Sequence, residues 1–401
     1  MELWSISDWV ALLLRWTHVV AGIAWIGSSF YFIALDAGLK KHDGLDAGVG
    51  GEAWQVHGGG FYRIQKYLVA PSFLPAELTW FKWEAYATWI FGFALLVVVY
   101  YGQPELYLID PQVADLGAAN AVLIALLTLP VGWLVYDSLC RSALGRSPKR
   151  LTVAGLILLL ATIWGLTHIF SGRGAYMQVG ALVGSIMVAN VFFVIIPNQK
   201  KIIESLLAGE TPDPALGLMG KQRSLHNNYL TLPVVFLMIS NHYPSVSSGP
   251  GNWIVVSGVF VIGFLVRHFF NLKHSGRPPQ WWLFPAAGAI TVALIVVTLP
   301  RKPQMDGVAA GPAQPVEFAQ VQQIMQTRCQ VCHSATPRFQ GITEPPKGVM
   351  FDSPAEIAAL APQIYLQAVA SHAMPLNNLT AITDEERHML GAWIDAGSKV
   401  Q

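Results

Sequence analysis

Apolar residues in this chain are gathered into long blocks, with the polar positions pushed between them. Blocks able to cross a bilayer as a helix need about 20 residues. They occur here at roughly 9–35, 83–102, 115–138, 150–171, 174–197, 228–243, 252–272 and 281–300. The pattern predicts eight helices. The sixth is short and opens on a polar stretch from Ser224 to Asn228, so the orientation of everything after it depends on that one span. The first block follows Glu2 and Asp8 with no Lys or Arg before Arg15, which reads as a retained span rather than a cleaved leader.

Basic residues alternate with these blocks. Lys40, Lys41, Arg63, Lys66 and Lys82 follow the first; Arg141, Arg146, Lys149 and Arg150 the third; Lys200, Lys201, Lys221 and Arg223 the fifth; Arg267, Lys273 and Arg277 the seventh. The intervening loops hold only Arg173. By the positive-inside rule this places the N-terminus outside and, after an even number of spans, the chain beyond Leu299 outside as well.

After residue 300 the pattern changes. Residues 301–316 are rich in Pro, Gly and Ala without apolar periodicity and read as a tether. Residues 317–401 are enough for a small helical domain. The expected organisation is therefore all-α, with a membrane domain over 1–300, a linker over 301–316 and a C-terminal domain over 317–401.

Composition sharpens this reading. Of 401 residues, 53% are hydrophobic and 12% charged, about half the charged share of a soluble domain. A lipid bilayer is the expected surroundings. The net charge of +1 leaves no basic excess for a phosphate backbone, so nucleic acid is not an expected partner.

Three cysteines cannot form a disulfide framework, and two of them lie in Cys329-Gln330-Val331-Cys332-His333. That string is the attachment motif of haem c. Two thiols three positions apart on a helical turn reach the two vinyl groups, and the adjoining imidazole of His333 turns to the iron. The sixth iron ligand is expected from Met374, which a following Pro375 fixes in a loop, with Met350, Met389 and His372 as competitors. The last helix, from Thr383 to Ile394, carries an apolar stripe expected to pack across Phe318, Val321, Ile324 and Met325. The domain is similar over its whole length to monohaem class I cytochromes c. Attachment of haem c occurs on the extracytoplasmic face in bacteria, in agreement with the basic-residue pattern.

Ionisable groups within spans are costly and tend to mark function. Arg15 and His18 share a face of the first helix; His168, His242, Arg267 and His268 lie near span ends. At about 1.5 Å per residue from Asp8, His18 falls near mid-bilayer. The histidines His18, His168, His242 and His268 leave two readings open, ligands of a second haem of b type or a proton and substrate path. The segment 17–27 looks like the first helix of membrane families that bind haem, those related to protoporphyrinogen oxidation and copper transport. The loop 54–67, WQVHGGGFYRIQKY, joins a glycine run, aromatics and cations, which suits a planar anion, or else an interfacial segment anchored by its rings. Ser224 to Tyr229 adds an imidazole and two amides on the same side.

Taken together, the eight blocks, the His-Gly-Gly-Gly-Phe-Tyr loop and the fused cytochrome motif resemble the bacterial membrane-bound urate oxidase family, over essentially the whole chain. The resemblance implies oxidation of urate to 5-hydroxyisourate with water as the oxygen source. Electrons would pass to the haem and on to a respiratory acceptor, in the inner membrane with the cytochrome domain periplasmic. On this reading Arg63 and Lys66 would hold the anionic purine and His57 or His226 would act as base. A quinol or other small-molecule dehydrogenase feeding the same haem, and a membrane-anchored electron shuttle, are the competing expectations.

Overall fold

The computed structural model describes residues 6–68, 75, 77–248, 251–299, 316–339 and 342–400. The expected linker, save its last residue, lies outside the described residues.

Every apolar block is helical. In chain order the elements are α1 (Ile6–Gly38), a hairpin of β1 (Val49–His57) and β2 (Gly60–Tyr67), then α2 (Trp83–Leu96), which widens into a π-turn over Val97–Tyr101. The short α3 (Pro104–Tyr107) precedes α4 (Ala118–Arg141) and α5 (Pro148–Thr167). Next, α6 (Gly172–Ala189) runs through a π-segment, Asn190–Ile195, into α7 (Ile196–Leu207). They are followed by α8 (Pro214–Ser240), α9 (Pro244–Ser247), α10 (Asn252–His274) and α11 (Leu283–Thr298).

Among the described residues six helical stretches are long and apolar enough to cross a membrane: Asp8–Gly38, Trp83–Tyr101, Ala118–Arg141, Pro148–Thr167, Gly172–Leu207 and Asn252–His274. This is compatible with a multi-pass membrane protein. The sixth and eighth predicted spans fall short, for different reasons. Helix α8 has the length, but its first half carries Lys221, Arg223, His226, Asn227 and Asn228. Helix α11 is apolar but has 16 residues, a rise of about 24 Å against a hydrocarbon core of about 30 Å.

The hairpin departs from the all-α expectation. Gly58 and Gly59 both take positive φ, 57° and 79°, the conformation a two-residue hairpin turn demands and only glycine adopts freely. The strands pair from Val56↔Phe61 back to Gly51↔Lys66, and Lys40 adds a bridge to Glu52.

The bundle core lies between α4, α5, α6, α8 and α10, around Ile163, Phe170, Tyr176, Leu237 and Phe260. Close approach at one end depends on glycine: a Cβ on Gly172 would stand 1.9 Å from the Ser247 carbonyl oxygen. In the middle of α8, Pro233 removes a backbone donor, and Gly263 of α10 packs against its ring.

The C-terminal residues build a second core. Helix α12 (Phe318–Ile324), the short α13 (Pro354–Ala359) and α14 (Ala361–Ile364), and α15 (Asp384–Asp395) bury Val321, Met325, Ile357, Leu390 and Trp393. The expected crossing of first and last helices is present, with Phe318 and Trp393 ring centroids 5.8 Å apart. Thr383 and Glu386 form a reciprocal cap on α15. This unit touches the bundle at α3, where the Asn377 side-chain amide donates to the Leu106 carbonyl at 2.9 Å.

Candidate functional site

Cys329 ends the π-turn that follows α12, and neither it nor Cys332 is in a disulfide. Burial pushes the Cys329 thiol up to about 12 and raises that of Cys332. A thiol held protonated is a poor redox nucleophile. His333 Nδ1 lies 3.1 Å from the Val349 carbonyl. A carbonyl only accepts, so Nδ1 carries the proton and Nε2 keeps the lone pair a metal would take. Burial lowers the His333 imidazole below its ordinary value, which favours that neutral form. Met374 sits in a loop pinned at both ends. Its N–H donates to the Gln367 carbonyl at 2.8 Å, and its own carbonyl accepts from Arg387 Nη1 at 2.8 Å. Arg387, buried, also donates to the Ala368 carbonyl.

The end of the bundle away from α3 holds a buried polar network. Asp137 of α4 accepts from Arg141 and from Arg223 of α8, each at 2.6 Å. Arg223 is 3% exposed and lies 4.9 Å over the Tyr136 ring. Tyr136 Oη is 2.7 Å from His226 Nδ1 and accepts from Asn190 Nδ2 at 3.1 Å. Asn190 also donates to Asn227 Oδ1 at 3.0 Å. It belongs to the π-segment after α6, a wide turn of the kind found at functional sites. Asn190 Oδ1 and Arg223 Nη1 are buried without a hydrogen-bond partner among the described residues. On the other face of α8, Arg267 stands 3.8 Å over the Phe30 ring and donates to Asn228 Oδ1 at 3.2 Å.

The four residues expected to bind and activate a purine are placed apart. His57 is exposed at the hairpin tip. Arg63 Nε donates to Glu52 Oε2 at 2.6 Å, and Lys66 is paired with Asp36. His226 sits in the buried network, and among the described residues no hydrogen bond or ion pair joins any of the four to another. Around Glu52, His42 and Trp54 donate to Oε1 at 3.0 Å each and Gln65 to Oε2 at 3.3 Å. The sequence signs of the buried network were Asp137 inside an apolar block and Asn190 inside another; their partners are 86 and 54 positions away along the chain for Arg223 and Tyr136.

The four histidines expected near or within the spans also divide. His168 Nδ1 bonds to the Trp164 carbonyl at 2.7 Å within its own helix, and His268 Nδ1 to Tyr229 Oη at 2.8 Å. His18 and His242 line one cavity of about 370 Å³ between α1, α2, α6 and α8, within the size range of small-molecule sites. His18 Nδ1 is 2.7 Å from the Thr88 carbonyl. A Cβ on Gly92 would lie 2.5 Å from the His18 ring, so glycine is what admits the imidazole there.

A mostly helical chain with several membrane-length apolar helices, buried arginines and a histidine-lined internal cavity is compatible with a multi-pass membrane protein. The chain belongs to the urate oxidase N-terminal family, whose model matches residues 4–299. It is thus a urate oxidase-like protein, an oxidoreductase by family, with urate as the substrate the family indicates. No curated protein and no solved structure matches it.

Proposed function

We propose that the chain is an integral membrane enzyme that oxidises urate to 5-hydroxyisourate and delivers the electrons to a haem c carried by its own C-terminal unit. Urate and water give 5-hydroxyisourate, two protons and two electrons. A haem attached here would supply a one-electron acceptor, so each turnover needs two successive transfers, with a respiratory acceptor taking each electron onward. Cys329 and Cys332 would carry the thioether bonds, and His333 Nε2 and Met374 Sδ would ligate the iron. The two free thiols, the oriented imidazole and the pinned methionine loop support this set.

The observation that carries the reading is that the unit bearing Cys-x-x-Cys-His is fused to the urate oxidase domain and held against it at Leu106. The contact lies at the end of the bundle from which α1 starts. With the alternation of Lys and Arg, this supports eight spans in an inner membrane and a periplasmic C-terminal unit.

The test is anaerobic. Purified, haem-loaded protein with its iron oxidised is mixed with urate in the absence of oxygen, and the visible spectrum is followed. Reduction of the haem without hydrogen peroxide in later aerobic turnover is the expected result. A haem that dithionite or a short-chain quinol reduces and urate does not would overturn it in favour of a quinol-linked enzyme or a shuttle.

A further inference from the structure

We propose that the cavity between α1, α2, α6 and α8 is the binding site for the purine anion, with Arg15 as its charge partner and His18 as its hydrogen-bond acceptor. This rests on the urate reading above and places its substrate.

Charge is the first argument. Three arginines are matched by carboxylates: Arg63 by Glu52, Arg141 and Arg223 by Asp137. Arg15 lines the cavity inside a membrane-length helix and, among the described residues, has no carboxylate or hydrogen-bond partner. A guanidinium near a span end can extend its tip toward the interface. Arg15 is exposed, and it also lines a cavity whose next turn presents His18; a guanidinium in such a place is open to completion by an anion.

Shape and polarity agree. The cavity is walled chiefly by apolar and aromatic groups, among them Trp25, Trp89 and Phe93. Trp89 and Phe93 stack on each other, 6° apart with centroids at 5.1 Å, and both line the cavity, aromatic surroundings that suit a flat ligand. Polar groups are few, as in sites that orient a small molecule by two or three contacts. His18 supplies one of them. The Thr88 carbonyl fixes the proton on Nδ1, so Nε2, which has no partner among the described residues, accepts from a purine N–H.

Position is the third argument. Tyr100 closes the cavity at its α3 end, where its hydroxyl donates to Asn241 Oδ1 at 2.7 Å. Its ring is 5.5 Å from that of Tyr107, and Leu106 is the residue that holds the Met374 loop through Asn377. A purine in this cavity is therefore at the same end of the bundle as the proposed acceptor. Electrons released among the loops at the opposite end would face about 30 Å of hydrocarbon.

The test uses full-length protein in lipid nanodiscs with the haem reduced beforehand, so that urate binds and is not consumed. Equilibrium binding of radiolabelled urate is measured for the wild type, Arg15→Gln and Gly184→Leu. Gly184 lines the cavity and a Cβ there meets nothing within 4 Å, so leucine fills space without displacing the backbone; an unchanged haem spectrum and melting curve check the fold. Both variants are expected to weaken binding at least tenfold. Wild-type binding that neither variant weakens would put the site elsewhere and overturn the proposal while leaving the urate reading intact. Acid-extractable haem present in the wild type and lost in His18→Ala would give the cavity to a second haem and also overturn it. A wild type that neither binds urate nor is reduced by it would overturn the urate reading itself.

Discussion

Asn377, held at a positive φ of 49° in the turn that follows Met374, donates its side-chain amide to the main-chain carbonyl of Leu106 at 2.9 Å. One hydrogen bond thus joins the proposed iron-ligand loop to the turn between α2 and α4. A neutral bond of this kind contributes about 1 kcal/mol, roughly a fivefold change in the population of the docked arrangement. Asn377→Ala is expected to slow urate-driven haem reduction about fivefold where docking limits transfer. Stopped-flow reduction by urate, compared with reduction by dithionite, reads this: only the first should slow.

Arg387 links α15 to the same loop from the other side. It is buried and donates to the carbonyls of Ala368 and Met374. A hydrogen bond from a charged donor contributes roughly 1.5–3 kcal/mol. Arg387→Ala leaves both carbonyls without their donor and is expected to destabilise the C-terminal unit by about 3 kcal/mol. Denaturant unfolding followed by haem absorbance measures the loss. The weak far-red band of thioether-ligated ferric haem should fade well before the unit unfolds, because the Met374 loop is released first; Met374→Ala should remove that band outright.

Within the bundle, the pair of Asp137 and Arg223 is deeply buried. Breaking a buried pair by removing one partner costs about 3–5 kcal/mol, since the remaining charge is stranded. Asp137→Ala is expected to show that loss in thermal unfolding in detergent. Restoring neutrality with Asp137→Ala and Arg223→Met together should recover most of it. A double variant no more stable than the single one would show that Asp137 is needed for more than pairing Arg223.

The hairpin carries the clearest dependence on pH. Hydrogen bonds first from His42, then from Arg63, hold the Glu52 carboxyl at about 2, below its ordinary 4.5. A depressed carboxyl stabilises the folded arrangement fully above its ordinary value and loses that contribution as pH falls through the depressed one. The hairpin is therefore expected to loosen between about pH 4.5 and 2, read as faster amide exchange across Gly51 to Arg63. Glu52→Gln should show fast exchange at neutral pH and no further change across that window.

The apolar blocks made six membrane-length helices legible because a run of about 20 apolar residues has few other solutions in a chain. The limits of α8 were not legible. Its helix begins at Pro214, within a polar stretch, where Asp213 caps the backbone and Arg223, Asn227 and Asn228 each bond to a residue of another helix or turn. The hairpin was missed for a similar reason: its glycines read as a loop, while the pairing is fixed by Glu52, whose partners come from β1, β2 and the segment before them. The Cys329, Cys332 and His333 pattern stands out from spacing alone because it is local in the chain. Arg63 and Lys66 looked like free cations because Glu52 and Asp36, which pair with them, are 11 and 30 positions away.

Gly92 offers the sharpest check on His18. The His18 ring fits only because residue 92 lacks a side chain: a Cβ there would stand 2.5 Å from Cε1 and 2.6 Å from Nδ1, closer than real Cβ atoms come to a ring. Gly92→Ala must therefore turn the imidazole and break its bond to the Thr88 carbonyl. Gly22 lines the same cavity, but a Cβ there meets only Thr88 Cγ2, at an ordinary 3.8 Å. The two changes add one methyl group each to the same wall, and both raise helix propensity by removing a glycine from a helix interior. They differ in what happens to His18. Urate-driven haem reduction is expected to fall at least tenfold in Gly92→Ala and to change less than threefold in Gly22→Ala, with both proteins melting within a few degrees of the wild type. Equal losses in the two would mean that the volume of the cavity matters and the orientation of His18 does not.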